Sequence, residues 1–158
     1  MGYTPEQMAR RNRSFWTPVQ AVGALIQFLT FLASLILVIR FLNTGEGYEV
    51  TTVANVAKVL MLYFMTVTGM AWEDEVFGRL FMAREFFWED AANLLSLAGN
   101  TAYLVVLFAG AEPRTQMWVM CVALATYVVN FVQFALRGAR SARQKRAQAM
   151  AATAAGGR

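Results

Sequence analysis

The sequence predicts an all-α integral membrane protein of four transmembrane helices with both termini cytoplasmic. Composition is the first observation: 58% of the 158 residues are hydrophobic and 15% charged, against roughly a quarter charged in soluble domains. Four apolar runs are the second, Val19 to Leu42, Val50 to Trp72, Phe86 to Ala109 and Gln116 to Leu136. Each has about 20 residues or more, enough at ~1.5 Å per residue to cross a ~30 Å hydrocarbon core. None alternates with the period of a barrel strand, so helices are the spanning elements. The placement of the cations is the third. The N-terminal arm (Arg10, Arg11, Arg13), the central loop (Arg79, Arg84) and the C-terminal tail (Arg137, Arg140, Arg143, Lys145, Arg146, Arg158) hold eleven of the fourteen Lys and Arg residues. An odd number of spans separates these segments from Arg40 and Arg114, so the positive-inside rule puts both termini and the central loop in the cytoplasm.

The elements follow in order. Thr4-Pro5-Glu6-Gln7 reads as an N-cap, a Pro at the first helical position and an acidic first turn, which predicts a short surface helix. The first apolar run is too long for the core of a cleaved leader, and Arg40-Phe41-Leu42 is no small-residue cleavage site, so it is expected to span. Asn43 to Gly47 and Gly110 to Pro113 read as tight outer turns. Beyond Gly138 the chain turns rich in Arg, Lys, Gln and Ala, and is expected to prolong the fourth helix for a few turns before losing order. The organisation expected is a cytoplasmic arm at 1–16, one membrane domain at 17–137 and a basic tail at 138–158.

Several chemistries are excluded. The chain has no His, which removes the commonest metal ligand and general base together. Its one Cys, Cys121, lies inside the fourth run and reads as a small packing residue. No phosphate loop, dinucleotide fingerprint or metal-ligand cluster is present. The basic balance is explained by topology and lipid contact, not by nucleic acid. An enzyme built from this chain works with carboxylates, amides, a Tyr and water.

The feature that topology does not explain is a pair of acidic tetrads, Trp72-Glu73-Asp74-Glu75 and Phe87-Trp88-Glu89-Asp90, at facing edges of the second and third runs. Carboxylates at the rim of a bilayer core lose hydration and are expensive there. Helical spacing carries polar stripes inward from them. Glu89, Asn93, Ser96, Asn100 and Tyr103 share a face of the third span, and Thr126, Asn130, Gln133 and Arg137 a face of the fourth. Asn55, Lys58, Thr66, Gly69 and Glu73 do so in the second span, and Gln20, Gln27 and Ser34 lie seven apart in the first. The ordinary role of such amides and hydroxyls is to hydrogen-bond between membrane helices. Four stripes directed inward also describe a pocket open to the cytoplasmic leaflet. Trp16, Trp72, Phe77, Phe81, Phe86, Phe87 and Trp88 gather at that level, as an interfacial belt or as a wall for a planar ligand. Lys58, about two turns inside its span, is expected to snorkel outward or else to meet an anion.

Phe15 to Gln20 (FWTPVQ), Gln27 to Gly47, Trp72 to Gly78 (WEDEVFG), Phe86 to Asp90 (FFWED), Asn100 to Leu104 (NTAYL) and Ala125 to Phe134 (ATYVVNFVQF) together resemble the 3-vinyl bacteriochlorophyllide hydratase family. The resemblance covers Phe15 to Leu136. It implies a hydro-lyase of bacteriochlorophyll synthesis in the bacterial inner, intracytoplasmic photosynthetic membrane, converting the C3-vinyl group of a magnesium chlorin or bacteriochlorin to 1-hydroxyethyl. It implies no resident cofactor, magnesium entering only with the pigment. Membrane lipid and other enzymes of pigment synthesis are the further expected partners. Under that reading Glu89 is the candidate acid, because it begins the stripe that enters the bundle. Glu73 is the candidate base or water-orienting group, and Asp90 the reserve. Asn93, Asn130 and Gln133 are candidates to position water or ring carbonyls, and Asn100, Tyr103, Trp72 and Trp88 to line the pigment. Arg79 or Arg84 would meet its propionate. A non-catalytic pigment carrier or a subunit of a photosynthetic complex is the rival expectation, and a generic structural membrane protein the third.

Overall fold

A computed structural model of the chain describes residues 4–80 and 87–156; the side chains of Glu89, Asn130 and most positions from 134 onward lie outside the described set, as do Phe81 and Phe86. Among the described residues the helices are α1 (Pro5–Arg13), α2 (Trp16–Thr44), α3 (Tyr48–Phe77), α4 (Phe87–Phe108) and α5 (Pro113–Gly156). Each of the last four contains a segment long and apolar enough to cross a membrane.

Local chemistry sets the ends. Thr4 caps α1 through a reciprocal pair: its hydroxyl accepts from the Gln7 amide at 3.2 Å, and its own amide donates to Gln7 Oε1 at 2.9 Å. The helix expected from Thr4-Pro5-Glu6-Gln7 is therefore present. Helix α2 stops at Gly45, whose φ of 75° lets its amide reach back to the Phe41 carbonyl at 2.7 Å. Pro113 opens α5 at a position where no amide hydrogen is required. That helix does not stop near Gly138. It continues to Gly156 through a stretch of Ala, Arg, Gln, Met and Lys, all strong helix formers.

The four long helices form an up-and-down bundle of two hairpins. Helix α2 packs along α3 and α4 along α5, with sparser contact where α3 meets α4 and α2 meets α5. Gly99 is the reason α4 and α5 approach closely: a Cβ there would sit 3.2 Å from the Ala123 Cα. The α2–α5 seam is filled by rings, Phe31 on Tyr127 at 4.6 Å and Phe28 on Phe131 at 5.4 Å between centroids.

Burial is inverted relative to a soluble bundle. Ile36, Val67, Val105 and Val122 lie exposed on the outer surface, whereas Ser34, Thr51, Asn55, Lys58, Ser96 and Asn100 are wholly or almost wholly buried. Lipid is as good a solvent for Val and Ile as a core is, so the interior is free to hold the polar groups that lipid rejects. Composition and fold thus agree that this is a membrane protein.

Candidate functional site: two polar layers in one bundle

Helices α3 and α4 run antiparallel and are joined by the loop after Phe77, so the end of α3 and the start of α4 lie at one face of the bundle. The hydrogen bond from Asn93 Nδ2 to Thr66 Oγ1, 3.1 Å, fixes their register. From that crossbar α3 continues to Glu73, and α4 reaches back to Asp90. Both carboxylates are buried, at 6% and 8% exposure, although both lie in the terminal turns of their helices. Their neighbours Asp74 and Glu75 are exposed. Glu75 accepts a hydrogen bond from Ser14 Oγ at 2.5 Å and so ties the chain after α1 to the end of α3.

The segment entering α2 forms the other wall of this layer. The Trp72 indole N–H donates to Thr17 Oγ1 at 3.0 Å, which pins the ring across the α2–α3 crevice. One turn further in, Gln20 Nε2 donates to Thr68 Oγ1 at 2.7 Å. Trp72 is therefore half-buried and held, whereas Trp88 is 73% exposed and Arg79 is exposed beyond the end of α3. The Glu89 and Asn130 side chains and all of Arg84 lie outside the described residues. Gln133 is half-buried, with an Oε1 that meets no hydrogen-bond partner among the described residues.

Asn100 and Tyr103, expected to line the same pocket, belong to a second layer. Asn100 is ten residues beyond Asp90 along α4, about 15 Å at the helical rise. Here Lys58, only 1% exposed, turns its ammonium inward and donates to Asn100 Oδ1 at 2.7 Å. Its Nζ also lies 5.8 Å from the centroid of the Tyr127 ring. Asn100 Nδ2 donates in turn to the Ser96 carbonyl at 2.8 Å. The expectation that Lys58 snorkels outward is overturned: its place on the stripe of Asn55 and Leu62 directs it into the bundle, where Asn100 offers an acceptor closer than the membrane surface. Beside it Ser34 Oγ donates to Asn55 Oδ1 at 2.6 Å. The Tyr103 hydroxyl is buried against Asn55 and Thr52 without a bond of hydrogen-bonding length among the described residues.

The Lys58–Asn100 pair is the contact that sequence reasoning missed. Both residues stood on inward stripes, but a stripe gives a face and a depth, not a partner. A third feature lies apart from both layers. A groove of about 590 Å³ between α2 and α3 is lined by apolar side chains such as Val22, Ile26, Met61 and Phe64. It faces outward and offers no chemistry.

The sequence profile of 2-vinyl bacteriochlorophyllide hydratases matches residues 3–140. A protein of Rhodobacter capsulatus named 2-vinyl bacteriochlorophyllide hydratase is 50% identical over 132 residues, covering 84% of this chain and 77% of that one. A protein of Cereibacter sphaeroides with the same name is 47% identical over 132 residues, covering 84% of this chain and 82% of its own. No solved structure matches the chain. The match bears out the resemblance read from the motifs, under a name that counts the vinyl position as 2. The chain belongs to the 2-vinyl bacteriochlorophyllide hydratase family.

Proposed function

We propose that this chain adds water across the vinyl group of a bacteriochlorophyllide-type pigment, giving a 1-hydroxyethyl substituent. The reaction is that of a hydro-lyase and needs no redox partner. A proton goes to the terminal CH₂, making it CH₃, and the carbon next to the ring becomes cationic with its charge delocalised into the macrocycle. Water oxygen then bonds to that carbon and releases a proton, so one water is consumed in balance.

The observation that carries the site assignment is the selective burial of Glu73 and Asp90 beside exposed Asp74 and Glu75. One carboxyl group delivers the proton to the vinyl CH₂. A second carboxylate orients and deprotonates the water. We assign Glu73 as the base, and the α4 carboxyls as the acid, Glu89 first and Asp90 in reserve. Asn93, fixed by Thr66, together with Asn130 and Gln133, positions water or ring oxygens. Trp72 and Trp88 supply flat apolar surface, and Arg79 meets the anionic pigment as it approaches from water.

The topology proposed with this function places both termini and the central loop in the cytoplasm, on the distribution of Arg and Lys. The membrane domain spans 17–137 between a cytoplasmic arm and a basic tail. A photosynthetic intracytoplasmic membrane is its proposed location, with lipid and neighbouring enzymes of pigment synthesis as partners. Magnesium enters with the substrate. The test is hydration of vinyl pigment by membranes carrying Glu73→Gln or Glu89→Gln. Loss of the 1-hydroxyethyl product in both, at normal protein level, is expected. Undiminished conversion by either variant removes that carboxylate from the mechanism.

A further inference from the structure

The interior layer has a charge that the carboxylate chemistry does not use. Lys58 is buried from all four long helices' surroundings, and its ammonium carries three donors. Its contacts among the described residues are one amide oxygen, Asn100 Oδ1, and the face of Tyr127. Among the described residues no carboxylate lies within ion-pair distance of it. A cation held this deep in a bilayer protein calls for an anion, because neither an amide dipole nor a ring face replaces the hydration it has given up. Ser96 Oγ is buried in the same layer without a hydrogen-bond partner among the described residues. It is a donor that a bound oxyanion would satisfy.

We propose that Lys58 and Asn100 anchor the propionate carboxylate of the pigment, with the vinyl group directed back toward Glu73 and Asp90. The proposal rests on the hydratase reading and adds the orientation of the substrate. Charge decides that orientation. Protonation of the vinyl group makes the adjoining carbon cationic, so the vinyl edge belongs near carboxylates and away from an ammonium. About 15 Å of α4 separates Asp90 from Asn100 at the helical rise, so the anchor and the carboxylates lie in different layers of the bundle. Access is along the α3–α4 seam, where the two hairpins touch least.

The experiment compares the free acid of the vinyl pigment with its propionate methyl ester, using the full chain in lipid nanodiscs. Wild-type protein is expected to show a KM roughly ten- to hundredfold higher for the ester, the range of a charge-assisted hydrogen bond, with kcat changed little. Lys58→Met is expected to raise KM for the free acid by the same factor and to treat the ester as the wild type does. Lys58→Arg is expected to restore part of the preference for the acid. Equal KM for acid and ester in the wild type overturns the anchor while leaving the hydratase intact. Hydration of neither pigment instead removes the functional reading itself. Loss of kcat in Lys58→Met with acid and ester alike also overturns the proposal, since it would put the ammonium at the reacting carbons. If Lys58→Met fails to fold, Arg79→Gln decides: it is expected to keep the wild-type preference for the acid, and loss of that preference would place the propionate at the rim and overturn the anchor.

Discussion

The rim layer and the interior layer of this bundle are built from the same materials and have opposite character. Both take an ionisable group from α3 and an amide or acid from α4. At the rim Glu73 and Asp90 lie at helix ends, a turn from water, where exposed Asp74 and Glu75 show how easily a carboxylate at this level escapes burial. In the interior Lys58 has no such escape, and Asn100 accepts from it at 2.7 Å. The difference teaches that depth, more than residue type, decides what a polar group does here. At the rim burial is a choice made by the fold, since neighbouring carboxylates stay exposed. Two turns in, burial is imposed, and the partner is what carries information.

The sharpest break of this comparison is at the rim. Glu73→Gln keeps the shape and removes the proton chemistry, so vinyl hydration should fall about 10²- to 10⁴-fold, the usual contribution of general acid–base catalysis. Asp74→Asn and Glu75→Gln should stay within about twofold of wild type in the same pigment assay. An equal fall in all three would mean that the selective burial of Glu73 has no catalytic meaning.

The interior should break through stability. Asn100→Leu takes away the one side-chain oxygen that Lys58 meets, leaving a buried ammonium without it. Losing a partner of a buried charged group should destabilise the protein by about 3 kcal/mol, read as unfolding in mixed micelles. The double variant Lys58→Met with Asn100→Leu should recover most of that loss, because replacing both partners by apolar groups leaves nothing unsatisfied. A double variant no more stable than Asn100→Leu alone would show that the pair is not the unit we take it to be.

How much of this was legible beforehand follows the same division. The spans, their hairpin turns and the capped surface helix were readable, because helix length, the Gly45 turn and the Thr4–Gln7 box are local properties. Glu73 stood on the inward stripe of α3 and is buried, Asp74 pointing about 100° away from it on the helix, whereas the stripe of α4 was read from Glu89 and the buried carboxylate described there is Asp90. The pairing of Lys58 with Asn100 was not readable, because it depends on the register between α3 and α4. That register is set by contacts such as Asn93 with Thr66, 27 residues apart in sequence, and it brings together Lys58 and Asn100, 42 apart. For the same reason Asn100 and Tyr103 were grouped with the carboxylates although a helix places them well above.

A helix contact near the interior layer tests whether the seam or the hairpin is the stiffer unit. Gly99→Ala would put a Cβ 3.2 Å from the Ala123 Cα and 3.4 Å from its Cβ, against backbone that cannot swing aside. Helices α4 and α5 should separate by a few tenths of an ångström, with a loss of about 1 kcal/mol in micelle unfolding. A neutral or stabilising Ala would show that the α4–α5 hairpin yields as readily as the seam.

The smallest effect expected is on the seam itself. Tyr63 and Thr101 share a hydrogen bond across α3 and α4, on the lipid-facing side of the crevice. Polar bonds between membrane helices average only about 0.6 kcal/mol, because in the unfolded-in-membrane state the same groups find other partners. Tyr63→Phe should therefore shift micelle unfolding by about that amount and leave the KM for vinyl pigment unchanged within about twofold. The reason the effect stays small is that Lys58 with Asn100 and Thr66 with Asn93 still bridge the same two helices. A large loss of stability would instead make the seam's outer bond its main tie, and the hairpins would then part from the inside rather than from the lipid.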